Sequence, residues 1–289
     1  MQRRAWFEIH DHRYFPRFLR DLVTDALEAM WNTQDTYGPI VPRLRQALRD
    51  AGTNNVVDLC SGGGGPWLRL SREFAGPGKR SPNICLTDIF PNRRAFERLR
   101  EEADVGFCAA PVNAMQIPRE LAGFRTIFSS FHHFKPDDAR AILKDAFEAR
   151  QGIAVFETAT RQPRTILVVF LLPFLTLLLA PGIRPFRWSR VLFTYLVPVI
   201  PFTLWLDGLL SCLRSYSESD FQDLVSGLAA EDYRWEVGME QGRAVSVAYL
   251  IGCPQGLAET SREEVELVTT GREMRKPVQH QAARASSLI

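Results

Sequence analysis

The stretch Asn55–Trp67 constrains the fold more than any other part of the chain, reading Asn-Val-Val-Asp-Leu-Cys-Ser-Gly-Gly-Gly-Gly-Pro-Trp. Val56, Val57 and Leu59 form a short apolar run that stops at a glycine-dense turn. Trp67, Leu68, Leu70 and Phe74 then recur at helical spacing. A buried strand, a tight turn and a helix start thus follow one another without a break, the context in which a glycine-rich loop holds a nucleotide-like ligand. Glycine is needed there because a Cβ would block close backbone approach and disfavour positive φ. Asp58, at the strand end, is placed to hydrogen-bond a ligand or to pin the loop.

The flanking segments continue this α/β alternation. Phe18, Leu19, Leu22, Val23, Ala26, Leu27, Met30 and Trp31 mark an amphipathic helix with Pro16 at its start. A second helix is expected from Pro39 or Pro42 to about Asp50, stopped by Ala51-Gly52. After the loop, a helix over Trp67–Phe74 ends at Gly76-Pro77-Gly78, and Ile84–Asp88 reads as a strand closing on a carboxylate. Asp88 lies 24 residues after Gly64, near the spacing at which an acid accepts both ribose hydroxyls in dinucleotide-type folds. Its competing role is to cap a helix over Asn92–Arg100. Further strands are expected at Gly106–Ala114, running into a polar turn, within Phe124–Phe134 together with its exit loop, and at Gly152–Glu157, with Pro136 opening a helix. Tyr233–Glu240 and Ala244–Gly252 flank Gln241-Gly242-Arg243 as a β-hairpin.

The order Asp58-Leu-Cys60-Ser61-Gly62-Gly63-Gly64 resembles motif I of the class I S-adenosylmethionine-dependent methyltransferases, acidic-x-Gly-x-Gly-x-Gly. Cys60 replaces the first glycine, while Gly62 and Gly64 match the later two. Five motifs in order, from residue 54 to 253, carry the resemblance. It implies an α/β, Rossmann-like sheet, mostly parallel with an antiparallel C-terminal hairpin. It also implies S-adenosylmethionine as cofactor, held by Asp58, Ser61, Gly62, Gly64 and Asp88. Asn113-Ala114 stands where the family often uses Asp-Ala against the adenine amino group. The segment Phe124–Phe134 resembles the fourth motif of the family's small-molecule branch, where a paired histidine often follows the strand. The Asn-Pro-Pro-Tyr form used on bases and glutamine amides is absent. His132 and His133 are therefore candidate catalytic residues, either serving as general base on a hydroxyl or carbon acid. For each, the alternative is a hydrogen bond that fixes the loop.

One segment exceeds what that sheet requires. Thr165–Ile183 and Val191–Leu206 carry no charge, and Arg184, Arg187 and Arg190 lie between them. The first run is long enough to cross a bilayer, but a two-span hairpin would put three arginines on the far side, against the usual cytoplasmic bias. A monotopic seat in one leaflet avoids this, as does a lid packed on the catalytic domain. The expected organisation is a helical cap at 1–53, whose helices otherwise pack on the sheet edge, a methyltransferase domain at 54–164 and 214–254, a hydrophobic insertion at 165–213 and a disordered tail at 255–289. An apolar wall after the fifth strand favours a hydrophobic small-molecule or lipid-like acceptor, with a membrane surface as a further partner. Asp207 and Arg214 at its end face the substrate or pair with each other at the surface.

A formal net charge of +2 offers no general attraction for nucleic acid. Five scattered cysteines without CxxC spacing point to reduced thiols in the cytoplasm and away from structural zinc. The N-terminus has no secretory signal pattern. His10-Asp11-His12 reads as polar surface rather than a metal site. Methyl transfer is the expected activity. The rivals are a membrane-associated protein that binds the cofactor without catalysis, and a nicotinamide-dependent dehydrogenase.

Overall fold

The computed structural model describes residues 8, 9, 12, 14–76 and 81–255. The expected tail and parts of the His10-Asp11-His12 and Gly76-Pro77-Gly78 readings lie outside them. The chain runs α1 (Arg17–Thr33), α2 (Val41–Asp50), β1 (Asn55–Leu59), α3 (Trp67–Phe74), β2 (Asn83–Leu86), α4 (Arg93–Ala103), β3 (Gly106–Phe107) and β4 (Phe124–Phe128). Then follow α5 (Pro136–Glu148), β5 (Ile153–Glu157), α6 (Pro163–Leu179), α7 (Trp188–Val191), α8 (Val199–Arg214), α9 (Glu218–Val225), β6 (Tyr233–Glu240) and β7 (Val247–Pro254).

The seven strands form one sheet in the order β3-β2-β1-β4-β5-β7-β6. The first five are parallel to their neighbours, while β7 runs antiparallel to both β5 and β6. This is a Rossmann-like sheet with the reversed C-terminal pair of the methyltransferase fold. Strand order reverses at β1, so the loop leaving β1 opens into the crevice where such sheets bind ligands. β4 and β5 are buried at every position, as central strands covered by helices on both faces require.

One core layer packs α2, α3 and α4 on the sheet through Leu44, Trp67, Phe96 and Leu99; the other packs α5 and α9 through Ile142, Leu143 and Phe221. Two expected boundaries shift. The third strand is only Gly106–Phe107, because Pro111 and a turn at Asn113 end pairing at the sheet edge. The hairpin connection is longer than three residues, since β7 starts at Val247. Among the described residues no disulfide joins any of the five cysteines.

The N-terminal region divides in two. α2 packs on the sheet with β7, whereas α1 forms a separate apolar cluster with the segment after α6 and with α8: Leu22, Val23 and Ala26 meet Ile183, Ile200 and Leu204. The linker arginines fold back onto the same helix. Arg187 and Arg190 both reach Asp25 of α1, at 3.3 and 3.2 Å, and Arg190 also donates to the Ile183 carbonyl at 2.8 Å. At the other end of α6, the Thr160 and Thr165 hydroxyls share a buried hydrogen bond of 2.7 Å. Arg164, also at that end, donates to the Arg243 carbonyl, so both ends of α6 contact the rest of the described fold. Asp207 and Arg214 are buried and do not pair with each other: Asp207 accepts from the Ile9 N–H at 2.6 Å, and Arg214 donates to the His133 carbonyl at 2.7 Å.

Candidate active site

The loop after β1 is built by Asp58 and by backbone angles that few residues accept. Asp58 is buried and accepts hydrogen bonds from the Ser61 and Thr126 hydroxyls, both at 2.6 Å. Burial pushes its pKa up to about 6, against the lowering effect of these donors. Its carboxylate pins the loop, and Asp58 also lines the cavity beside it. Ser61 is turned inward to Asp58, and its N–H donates to the Thr87 carbonyl at 2.9 Å. Cys60 sits at φ +57°, a left-handed conformation that explains why glycine is the family's usual choice there.

Gly62 and Gly64 divide the work. Gly62, at φ +55°, points its N–H at Asp88 Oδ2, 2.7 Å away. Gly64, at φ +110°, lies against α4, where a Cβ would come within 1.9 Å of Leu99 Cδ1. Gly64 therefore serves close loop–helix contact rather than the cavity wall. Gly63 and Gly65, which the motif alignment left out, line the cavity instead.

Asp88 follows β2 and also accepts from the Phe90 N–H at 2.7 Å. Asn92, not Asp88, caps α4 by accepting from the Ala95 N–H, so the capping alternative falls away. Burial raises the Asp88 pKa, with the Phe90 and Gly62 amides opposing it. Each carboxylate oxygen that accepts one amide keeps a second lone pair for a ligand hydroxyl. Asn113 and Ala114 lie elsewhere: the Asn113 Oδ1 accepts from the Met115 N–H at 3.0 Å, Ala114 is buried in the core, and neither lines the cavity.

That cavity has a volume of about 570 Å³. It runs from Asp88 and the glycine loop, past Ser129, His132 and His133, to an apolar wall of Val168, Leu172, Leu175 and Leu204 from α6 and α8. The α1 residues Thr24, Leu27 and Trp31 also line it.

The paired histidines have different surroundings. His132 is buried, its Nδ1 2.7 Å from Glu157 Oε2 and its Nε2 3.3 Å from Glu8 Oε1. Burial alone would lower its pKa, but the Glu157 and Glu8 carboxylates outweigh it and raise it to about 10. At neutral pH His132 is an imidazolium held between two carboxylates and has no lone pair with which to act as a base. Both of its ring nitrogens face carboxylates, an arrangement that suits the loop-fixing alternative. His133 is more open, with 21% of its side chain exposed and its Nε2 3.6 Å from Glu8 Oε2. Glu8, His132 and His133 offer three ligand-capable atoms within 4.8 Å of one another. Arg214 lies 3.6 Å from Glu8 in the same cluster.

Sequence reasoning missed Glu8, whose segment has no periodicity to announce it. It also left Glu157 without a role, although a carboxylate closing a central strand was visible. Tyr37, Ser129 and Thr158 form another unforeseen chain of hydroxyls, at 2.7 and 2.6 Å.

No family model matches the chain, and no curated protein matches it. Among solved structures it is similar to an O-methyltransferase family protein from Burkholderia thailandensis, with 14% identity and a TM-score of 0.46 over 82% of this chain and 60% of that one. It is similar to human N-acetylserotonin methyltransferase in complex with S-adenosylmethionine, with 13% identity and a TM-score of 0.48 over 82% and 56%. It is also similar to a protein described as a Zn-dependent alcohol dehydrogenase from Rhodobacter sphaeroides, with 13% identity and a TM-score of 0.46 over 82% and 98%. The chain therefore spans less than two thirds of the length of these two methyltransferases. At such scores the fold assignment rests on the chain's own strand order.

Proposed function

We propose that this protein transfers a methyl group from S-adenosylmethionine to a hydrophobic small-molecule or lipid-like acceptor. The observation that carries the reading is one continuous cavity that joins a ribose-type carboxylate, a histidine and an apolar wall. The residues present suit the cofactor. A glycine loop passes close to α1, where a Cβ on Gly63 would meet the Thr24 carbonyl at 3.2 Å, and Asp88 lines the same cavity. When bound, the cofactor supplies an electrophilic methyl group on a sulfonium.

The chain's own residues then act mainly by orientation. Asp88 accepts the ribose hydroxyls while its other lone pairs hold the Gly62 and Phe90 amides in place. Leu172, Leu175 and Leu204 exclude water and hold the apolar body of the acceptor. His133, beside Glu8, receives the proton of an acceptor hydroxyl, while the His132–Glu157 pair fixes the loop that carries it. The reversed β7–β6 pair favours this reading over a nicotinamide-dependent dehydrogenase.

Calorimetric titration of S-adenosylmethionine into the detergent-purified chain, with NAD as comparison, tests the cofactor. Asp88→Ala should abolish that binding while the circular dichroism spectrum stays native; micromolar affinity retained in the variant refutes the ribose role. Transfer of labelled methyl groups into a lipid extract separates catalysis from binding alone.

A further inference from the structure

α6 is apolar around its whole circumference, and the protein uses only part of it. Val168, Leu172 and Leu175 line the cavity, whereas Leu167, Phe170, Phe174 and Leu178 point outward, the last 75% exposed. Their offsets of three and four residues place them on one stripe. Trp188 at 77%, Tyr195, and Leu196 at 76% extend the exposed apolar surface into α7 and the turn that follows. Only 22% of the apolar stretch of α6 is buried. A helix apolar on every side belongs in a core or in lipid, and exposed apolar surface of this extent marks an interaction site.

Charge identifies the partner. Between Pro163 and Leu206 the chain carries Arg164, Arg184, Arg187 and Arg190 and not one Asp or Glu. Asp25 takes Arg187 and Arg190, which leaves Arg164 and Arg184 exposed near the two ends of α6. Arginines bracketing an apolar stripe, with Trp188 close by, match a bilayer interface: apolar side chains in the acyl region and guanidinium groups at anionic headgroups. The same distribution disfavours a second copy, since helices paired face to face would bring arginine against arginine. Because both ends of α6 contact the rest of the described fold, the helix lies along the surface.

We propose that the outer face of α6 and the α7 segment seats this protein in one leaflet of an anionic bilayer, and that the cavity draws its acceptor from that leaflet. Leu171 lines the cavity and is also exposed, so one helix forms both the cavity wall and the docking face. The acceptor route rests on the methyl-transfer reading above; the docking itself does not.

Flotation of the full chain, freed of detergent, tests the docking with vesicles of phosphatidylcholine alone and of phosphatidylcholine mixed with phosphatidylglycerol. The wild type should float with vesicles, more completely with the anionic ones. The double variant Leu178→Asp/Leu196→Asp changes two exposed side chains and should lower the bound fraction roughly tenfold or more. Its melting temperature and S-adenosylmethionine affinity should stay unchanged. Arg184→Glu should lessen the preference for anionic vesicles. A wild type that stays unbound to both vesicle types overturns the proposal. So does a double variant that floats as well as the wild type, or a lipid-free wild-type dimer that the double variant dissociates. Failure of cofactor binding leaves the vesicle result standing, so the two readings fail separately.

Discussion

Gly64→Ala, compared with Gly65→Ala, isolates the contact that holds the ligand loop against α4. Both glycines have positive φ, +110° and +55°. At Gly65 an added methyl has nothing within 4 Å, so the cost is the left-handed conformation alone, about 1–2 kcal/mol. At Gly64 the methyl would fall 1.9 Å from Leu99 Cδ1 and 3.4 Å from its Cγ. Leu99 is fully buried in the core layer with Leu86 and Phe96, so it cannot swing aside into solvent. Overpacking adds about 1–3 kcal/mol, and the less accessible φ adds backbone strain of about 1–3 kcal/mol.

The expected loss is therefore about 1–2 kcal/mol for Gly65→Ala and about 2–6 kcal/mol for Gly64→Ala. Urea unfolding of the ligand-free chain, followed by tryptophan fluorescence, reads both values, since Trp67 is buried directly behind the loop. In thermal melts each kcal/mol corresponds to about 2–4 °C for a chain approaching this size. Equal losses in the two variants would refute the argument, because the Leu99 contact would then constrain nothing. A larger loss at Gly65 would refute it more strongly.

Asp25 and Arg190 are each 1% exposed, so Asp25→Leu should cost about 3–5 kcal/mol by leaving a buried guanidinium without its carboxylate. Thermal unfolding of Asp25→Leu/Arg190→Met should recover most of that loss; a single variant as stable as the wild type would show that the clamp contributes nothing. His132 adds a pH dependence. Its folded pKa of about 10 lies above the 6.5 of an unperturbed imidazole, so its stabilisation is fully present below pH 6.5 and is lost as pH rises through 10. Glu157→Gln should flatten that decline in urea midpoints across the alkaline range, and identical slopes in the two proteins would contradict the imidazolium assignment.

The sequence by itself determined the sheet and its ligand loop, because these are written in local chemistry. Val56, Val57 and Leu59 before four glycines can hardly be anything but a strand entering a tight turn, and Asp88 closes the next strand at a distance set by one βαβ unit. The antiparallel partnership of Tyr233–Glu240 with the strand after it was legible for the same reason, as its two runs flank a short polar break. Periodicity also found α1, and the absence of charge marked the apolar stretches that form α6 and much of α8. Tertiary structure alone decided what these parts do to one another. His132 and His133 are adjacent in sequence, yet only folding brings Glu157 and Glu8 around the first and turns it from a base into a cation. Asp25 is an ordinary acid on a polar-looking helix until Arg187 and Arg190 arrive from more than 160 residues away. Gly64 matched a ligand motif, but Leu99 of α4 makes its role steric. Proton affinity and steric fit depend on which groups meet across the fold, and no local pattern carries that information.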